Sequence, residues 1–127
     1  MPEIKLKVLI ADDSALMRES ISEIINTEPD MTVVYAAPDG LEAVAKTREL
    51  NPDLVLMDLA MPRGGAIEAL PLLKSLQPEL KVLIYSISDD QAEILEVFRL
   101  GARGFINKGA DIKDILTAIR SIRDGKL

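Results

Sequence analysis

The sequence contains no cysteine, no histidine and no tryptophan, and its aromatic residues are two Phe and two Tyr. Without thiols or imidazoles the chain cannot form a disulfide, a Cys/His zinc site, a Cys-His or Ser-His-Asp nucleophile, or a phosphohistidine. Any metal must be held by oxygen. So few rings make an aromatic platform for stacking bases or sugars improbable. No run reaches 18 apolar residues, so no membrane span is predicted. Asp12 stops the first apolar stretch too soon for a secretory leader, and the expected location is the cytoplasm. Basic residues are in the minority, 15 against 21 acidic, which gives a net charge of -6. That balance argues against direct nucleic-acid binding.

What is present is an ordinary globular composition, 48% hydrophobic and 28% charged over 127 residues, read as a single domain over 1–127. Short aliphatic runs at 6–11, 32–36, 54–57, 82–85 and 104–106 alternate with longer segments of helical periodicity. Three of those segments carry clear apolar stripes: Met17, Ile21, Ile24 and Ile25; Gly40, Ala43, Val44, Thr47 and Leu50; and Ile112, Ile115, Leu116, Ile119 and Ile122. Ser14, Asp39 and Asp111 precede them as capping residues, with Glu42 completing a box after Asp39. Pro71 predicts that the third helix becomes regular only near that residue. The fourth is expected to run from about Asp90 to Leu100, burying Ile94, Leu95 and Phe98 and leaving Val97 outward as a contact residue; Gly101 or Gly104 ends it.

Strands that are apolar along their whole length are buried on both faces, which is a parallel-sheet pattern. Five β-α pairs then predict an α/β, doubly wound, five-stranded parallel sheet of order 2-1-3-4-5, flavodoxin-like, with helices on both faces. In such sheets ligands bind beyond the carboxyl ends of the strands. The first run ends in Asp12-Asp13, the third in Asp58 and the fourth in Ser86, and the fifth leads through Asn107 to Lys108. Three carboxylates, a hydroxyl and an ammonium therefore converge in one crevice. The carboxylates repel one another unless a cation intervenes, and an all-oxygen site suits Mg²⁺. An anionic oxygen bridging Mg²⁺, Lys108 and Ser86 would be well stabilised, an arrangement suited to phosphoryl transfer with Asp58 as nucleophile. Each residue alone has an ordinary explanation, as a helix cap or solvated surface; their joint placement is what points to function.

Asp12-Asp13-Ser14, the segment Leu56-Met57-Asp58-Leu59-Ala60-Met61-Pro62, Ser86, and Gly101 through Lys108 resemble the receiver domain of two-component response regulators. The resemblance implies that Asp58 accepts a phosphoryl group from a sensor histidine kinase or phosphotransfer protein. It implies that Asp13, Asp58 and the Ala60 carbonyl bind Mg²⁺, with Asp12 acting through water. It further implies that Lys108 contacts the phosphoryl oxygens and that Ser86 and Phe105 form a switch pair. The domain is then a signalling module rather than an enzyme, and phosphorylation promotes self-association or partner docking.

Several positions depart from the family pattern. Arg63-Gly64-Gly65-Ala66 lacks the usual Gly at its last position, so Gly65 is expected to take a positive φ. Gly109 replaces a common proline after Lys108, which predicts a looser loop. Ile87 and Ala60 predict slow phosphoryl exchange, the first by bulk and the second by offering no polar group to position water. A flavodoxin-type carrier would need a Ser/Thr/Gly-rich phosphate loop where Asp12-Asp13 stands, and a haloacid-dehalogenase-like phosphatase would need an Asp-x-Asp pattern there. The remaining alternative is a receiver-like protein-binding module that works without phosphorylation.

Overall fold

A computed structural model describes residues 4–87, 90–109 and 111–125. Among them five strands and five helices alternate: β1 (Leu6–Ala11), α1 (Ala15–Asn26), β2 (Met31–Ala37), α2 (Gly40–Leu50), β3 (Leu54–Asp58), α3 (Ala66–Leu76), β4 (Lys81–Ser86), α4 (Gln91–Arg99), β5 (Gly104–Asn107) and α5 (Ile112–Arg123). All neighbouring strands are parallel and the order is β2-β1-β3-β4-β5, as the sequence predicts. The central β3 is buried at every residue, which is why its sequence is apolar until Asp58.

Side-chain alternation along the strands divides the core in two. Val8, Ile10, Leu54, Leu56, Leu83 and Tyr85 pack with Ile21 and Ile25 of α1 and with Ile115, Leu116, Ile119 and Ile122 of α5. On the other face Leu9, Ala11, Val55, Met57, Val82 and Ile84 meet Ala43 of α2, Ala66, Ala69, Leu70 and Leu73 of α3, and Val97 of α4. The Ile112 side chain, expected on the α5 stripe, lies outside the described residues. Ser14, Asp39 and Asp111 cap α1, α2 and α5 as expected, each accepting a backbone amide. Glu42 does not close the box on Asp39; its carboxylate accepts the Tyr35 hydroxyl at 2.6 Å.

Three expectations are corrected. α3 begins at Ala66, five residues before Pro71, and continues through it. Pro71 is exposed, so its ring meets solvent while Leu70 and Leu73 beside it are fully buried, and their burial outweighs the lost backbone bond. In α4 it is Val97 that is wholly buried, while Leu95 and Phe98 are exposed at 68% and 43%. Gly65 sits at φ -90; the positive φ values of that loop belong to Arg63 and Gly64. Gly65 is needed for proximity instead, because a Cβ there would lie 2.7 Å from the Leu59 carbonyl oxygen. Of the two glycines expected to end α4, Gly101 does so at φ 114, and the bonds Gly101 N to Phe98 O and Ala102 N to Val97 O make a Schellman motif.

Candidate functional site

The carboxyl ends of β1, β3 and β4 are adjacent, and the chain delivers its polar residues there as the hydrophobic runs stop. One carboxylate oxygen from each of Asp12, Asp13 and Asp58 lies within 4.8 Å of the others. Asp12 is fully buried and Asp58 is 6% exposed, whereas Asp13 is open to solvent. Lys108 reaches in from beyond β5, with Nζ 2.9 Å from Asp58 Oδ2 and 3.2 Å from Asp12 Oδ2. Its backbone amide donates to the Ser86 carbonyl at 2.8 Å, so β4 holds the Lys108 segment in register. Asn107 Oδ1 also accepts the Gly109 amide at 2.7 Å, closing the turn after Lys108.

The structure thus brings together Asp12, Asp13, Asp58 and Lys108, and places Ser86 and Ala60 at the same end of the sheet. The Ala60 amide lies 3.4 Å from Asp58 Oδ1, and Ser86 is buried at the end of β4. Phe105 pairs with Ile84 and Ser86 with Asn107 in the β4-β5 ladder. Alternation therefore puts Ser86 and Phe105 on one face, with Phe105 half-buried against the α2-α3-α4 core. Ile87 is 82% exposed, so its bulk does not form a packed wall over Asp58.

Two side chains that hold Asp12 in place were not anticipated. Tyr85, 0% exposed, donates its hydroxyl to Asp12 Oδ2. Its ring also lies under Lys108, with Nζ 5.0 Å from the ring centre. Arg18 of α1 donates to the Asp12 carbonyl at 2.7 Å and fixes the backbone at the end of β1. The signal for Tyr85 was present in strand alternation, since it pairs with Asp58 in the β3-β4 register and so shares its face.

These contacts set the charges. Burial pushes the Asp58 carboxyl above its ordinary value, and Lys108 offsets this only in part. Burial also raises Asp12, but hydrogen bonds from Tyr85, the Ser14 amide and Lys108 outweigh it and hold that carboxyl below its ordinary value. Burial opposes the Lys108 ammonium, yet its bonds to Asp58 and Asp12 carry it above the usual lysine value. Burial, and after it the Asp12 carboxylate, keep the Tyr85 phenol protonated as a donor. The donor set is three carboxylates around a small opening with one ammonium, which fits a hard divalent cation and leaves net negative charge for it to neutralise.

The family model of the response regulator receiver domain matches residues 8–120. Oxygen regulatory protein NreC of Staphylococcus aureus is 43% identical over 123 residues, a match that takes in 95% of this chain and 56% of that protein; the chain spans little more than half of this relative's length. A LuxR-family two-component response regulator from Aurantimonas sp. SI85-9A1 has a TM-score of 0.91 and 32% identity, over 97% of this chain and 88% of that one. The response regulator domain of Thermotoga maritima CheB has a TM-score of 0.86 and 38% identity, over 93% and 96%.

Proposed function

Because the chain belongs to the response regulator receiver domain family, we propose that residues 1–127 act as one phosphorylation-dependent switch, with Asp58 as phosphoacceptor. The observation that carries this reading is the pairing of a buried Asp58 with the Lys108 ammonium at 2.9 Å, inside a cluster of three carboxylates. An Asp58 carboxylate oxygen attacks the phosphorus of a phosphohistidine on a sensor histidine kinase or phosphotransfer protein; the P–O bond forms as the P–N bond breaks and the imidazole leaves. The donor histidine lies outside residues 1–127, which contain none. Lys108 and the Ser86 hydroxyl then hold the phosphoryl oxygens, and Phe105 on the same face as Ser86 carries the change toward α4 and α5. Asp13, Asp58 and the Ala60 carbonyl would hold Mg²⁺, with Asp12 acting through water. When bound, that ion supplies the positive charge that offsets the phosphoryl group and the carboxylates.

The switch works in the cytoplasm; among the described residues no helix is long and apolar enough to cross a membrane. Its output is self-association or partner docking, with exposed Leu95 and Phe98 of α4 as contact residues in place of buried Val97. The test is intact mass after incubation with Mg²⁺ and a small acyl phosphate. One added phosphoryl group is expected in the wild type and none in Asp58→Asn. Failure of the wild type to label beside a receiver that does label would leave the phosphorylation-independent binding module instead.

A further inference from the structure

Both oxygens of the Asp12 carboxylate already have partners within the protein, and Oδ2 has two. Oδ1 accepts the Ser14 amide at 2.8 Å, while Oδ2 accepts the Tyr85 hydroxyl and faces Lys108 Nζ at 3.2 Å. Arg18 holds the carbonyl of the same residue, so neither end of Asp12 is free to turn. Asp13, by contrast, is exposed. We infer that Tyr85 is a residue that sets the cation preference of this site: by occupying Asp12 Oδ2 it withholds that oxygen from an ion seated between Asp13 and Asp58.

The consequence follows from the different demands of two hard ions. Mg²⁺ keeps several of its waters and needs few protein oxygens, whereas Ca²⁺ takes six to eight oxygen ligands in looser geometry. A site in which Asp12 acts only across water suits the first. Release of Asp12 Oδ2 would add one carboxylate oxygen to the set, which favours the second. Lys108 alone does not hold Asp12 back, because its ammonium is shared with Asp58 Oδ2 at 2.9 Å. Tyr85 is suited to the task because its ring is locked in the core formed with α1 and α5 and its hydroxyl is directed at Asp12 Oδ2.

This inference rests on the carboxylate cluster being a cation site, and the experiment separates the two. Mg²⁺ and Ca²⁺ affinities are measured by titration calorimetry on the unphosphorylated wild type, Tyr85→Phe, Asp12→Asn and the double variant, with far-UV circular dichroism as a check on folding. Tyr85→Phe is expected to move the Mg²⁺/Ca²⁺ affinity ratio toward Ca²⁺ by about tenfold, the size typical of partners that orient metal ligands. No such movement is expected when Asp12 is already Asn. Loss of packing alone would weaken both ions equally. A ratio in folded Tyr85→Phe within twofold of the wild type overturns the inference, as does an equal shift in the double variant. If Tyr85→Phe does not fold, Asp12→Asn decides: with Asp12 acting only across water, loss of its charge should lower both affinities by one common factor. A ratio that moves in that variant shows direct ligation by Asp12 and overturns the inference. Binding of neither ion to the wild type overturns the cation site itself, and this inference with it.

Discussion

Asp58 is held as a buried carboxylate beside Asp12, and burial raises its proton affinity above that of an exposed aspartate. A carboxyl whose folded pKa lies above its unfolded value opposes folding once ionised: the penalty is complete above the folded pKa and is relieved as pH falls through it. Asp58→Asn should therefore stabilise the cation-free protein at neutral pH by roughly 1 kcal/mol, or a few degrees in Tm, with the gain shrinking as pH falls toward the unfolded value; thermal melts in chelator across pH 4 to 7 measure it. A lower Tm at pH 7 would mean that the Lys108 pair outweighs burial. The same scale separates the two residues expected to slow phosphoryl exchange. Ile87 is mostly in solvent, so Ile87→Ala should leave the decay of the phosphorylated form within about twofold, which moves the expectation onto Ala60. Asp12, Asp13, Asp58 and Lys108 were legible because each stands where an apolar run stops. Tyr85 was less so: it stands one residue before the end of β4, inside the apolar run, and only its hydroxyl reaches the level of Asp12.

At the scale of elements, strands and caps were legible and the buried line of α4 was not. In nine residues both Ile94-Leu95-Phe98 and Ile94-Val97 satisfy helical spacing, so periodicity leaves the choice open. Packing decides it: Val97 enters the core with α3, and the Schellman turn bonds Ala102 N back to the Val97 carbonyl. Val97→Ala should cost about 1–2 kcal/mol, whereas Leu95→Ala should stay within about 0.5 kcal/mol, as read from denaturant midpoints. α3 shows the converse limit. Pro71 argues locally against a helix start at Ala66, but the buried face from Ala66 to Leu73 carries the helix across it. Pro71→Ala restores the missing backbone donor and is expected to raise Tm without changing the fold.

At the scale of the whole molecule, α5 is fastened to the α1-β2 turn on its own face of the sheet by charges no local pattern announced. Arg120 bonds Asp30 and Glu28 at 2.9 and 2.6 Å, and Arg123 bonds Asp30 at 2.7 Å, joining the C-terminal helix to the turn between α1 and β2. Arg120, with Arg123 after it, holds the Asp30 carboxyl well below its ordinary value of 3.8. A depressed carboxyl contributes stability that is present above its unfolded pKa and is lost as pH falls below it. Asp30→Asn should thus lower stability by about 1 kcal/mol at pH 7 and by progressively less below pH 4, measured by urea unfolding at both pH values. These partners lie some ninety residues apart, and their pairing depends on where α5 crosses the sheet. By itself the sequence determined the alternation of strands and helices and the identity of the carboxylates and the lysine, since hydrophobic period and the residues that end apolar runs are local properties; the strand order was expected only from the fold that such alternation commonly adopts. Tertiary structure alone decided which line of α4 is buried, which oxygen of Asp12 is already taken, and how α5 is tied down. Each of those depends on the distance between atoms far apart in the chain, which no local pattern encodes.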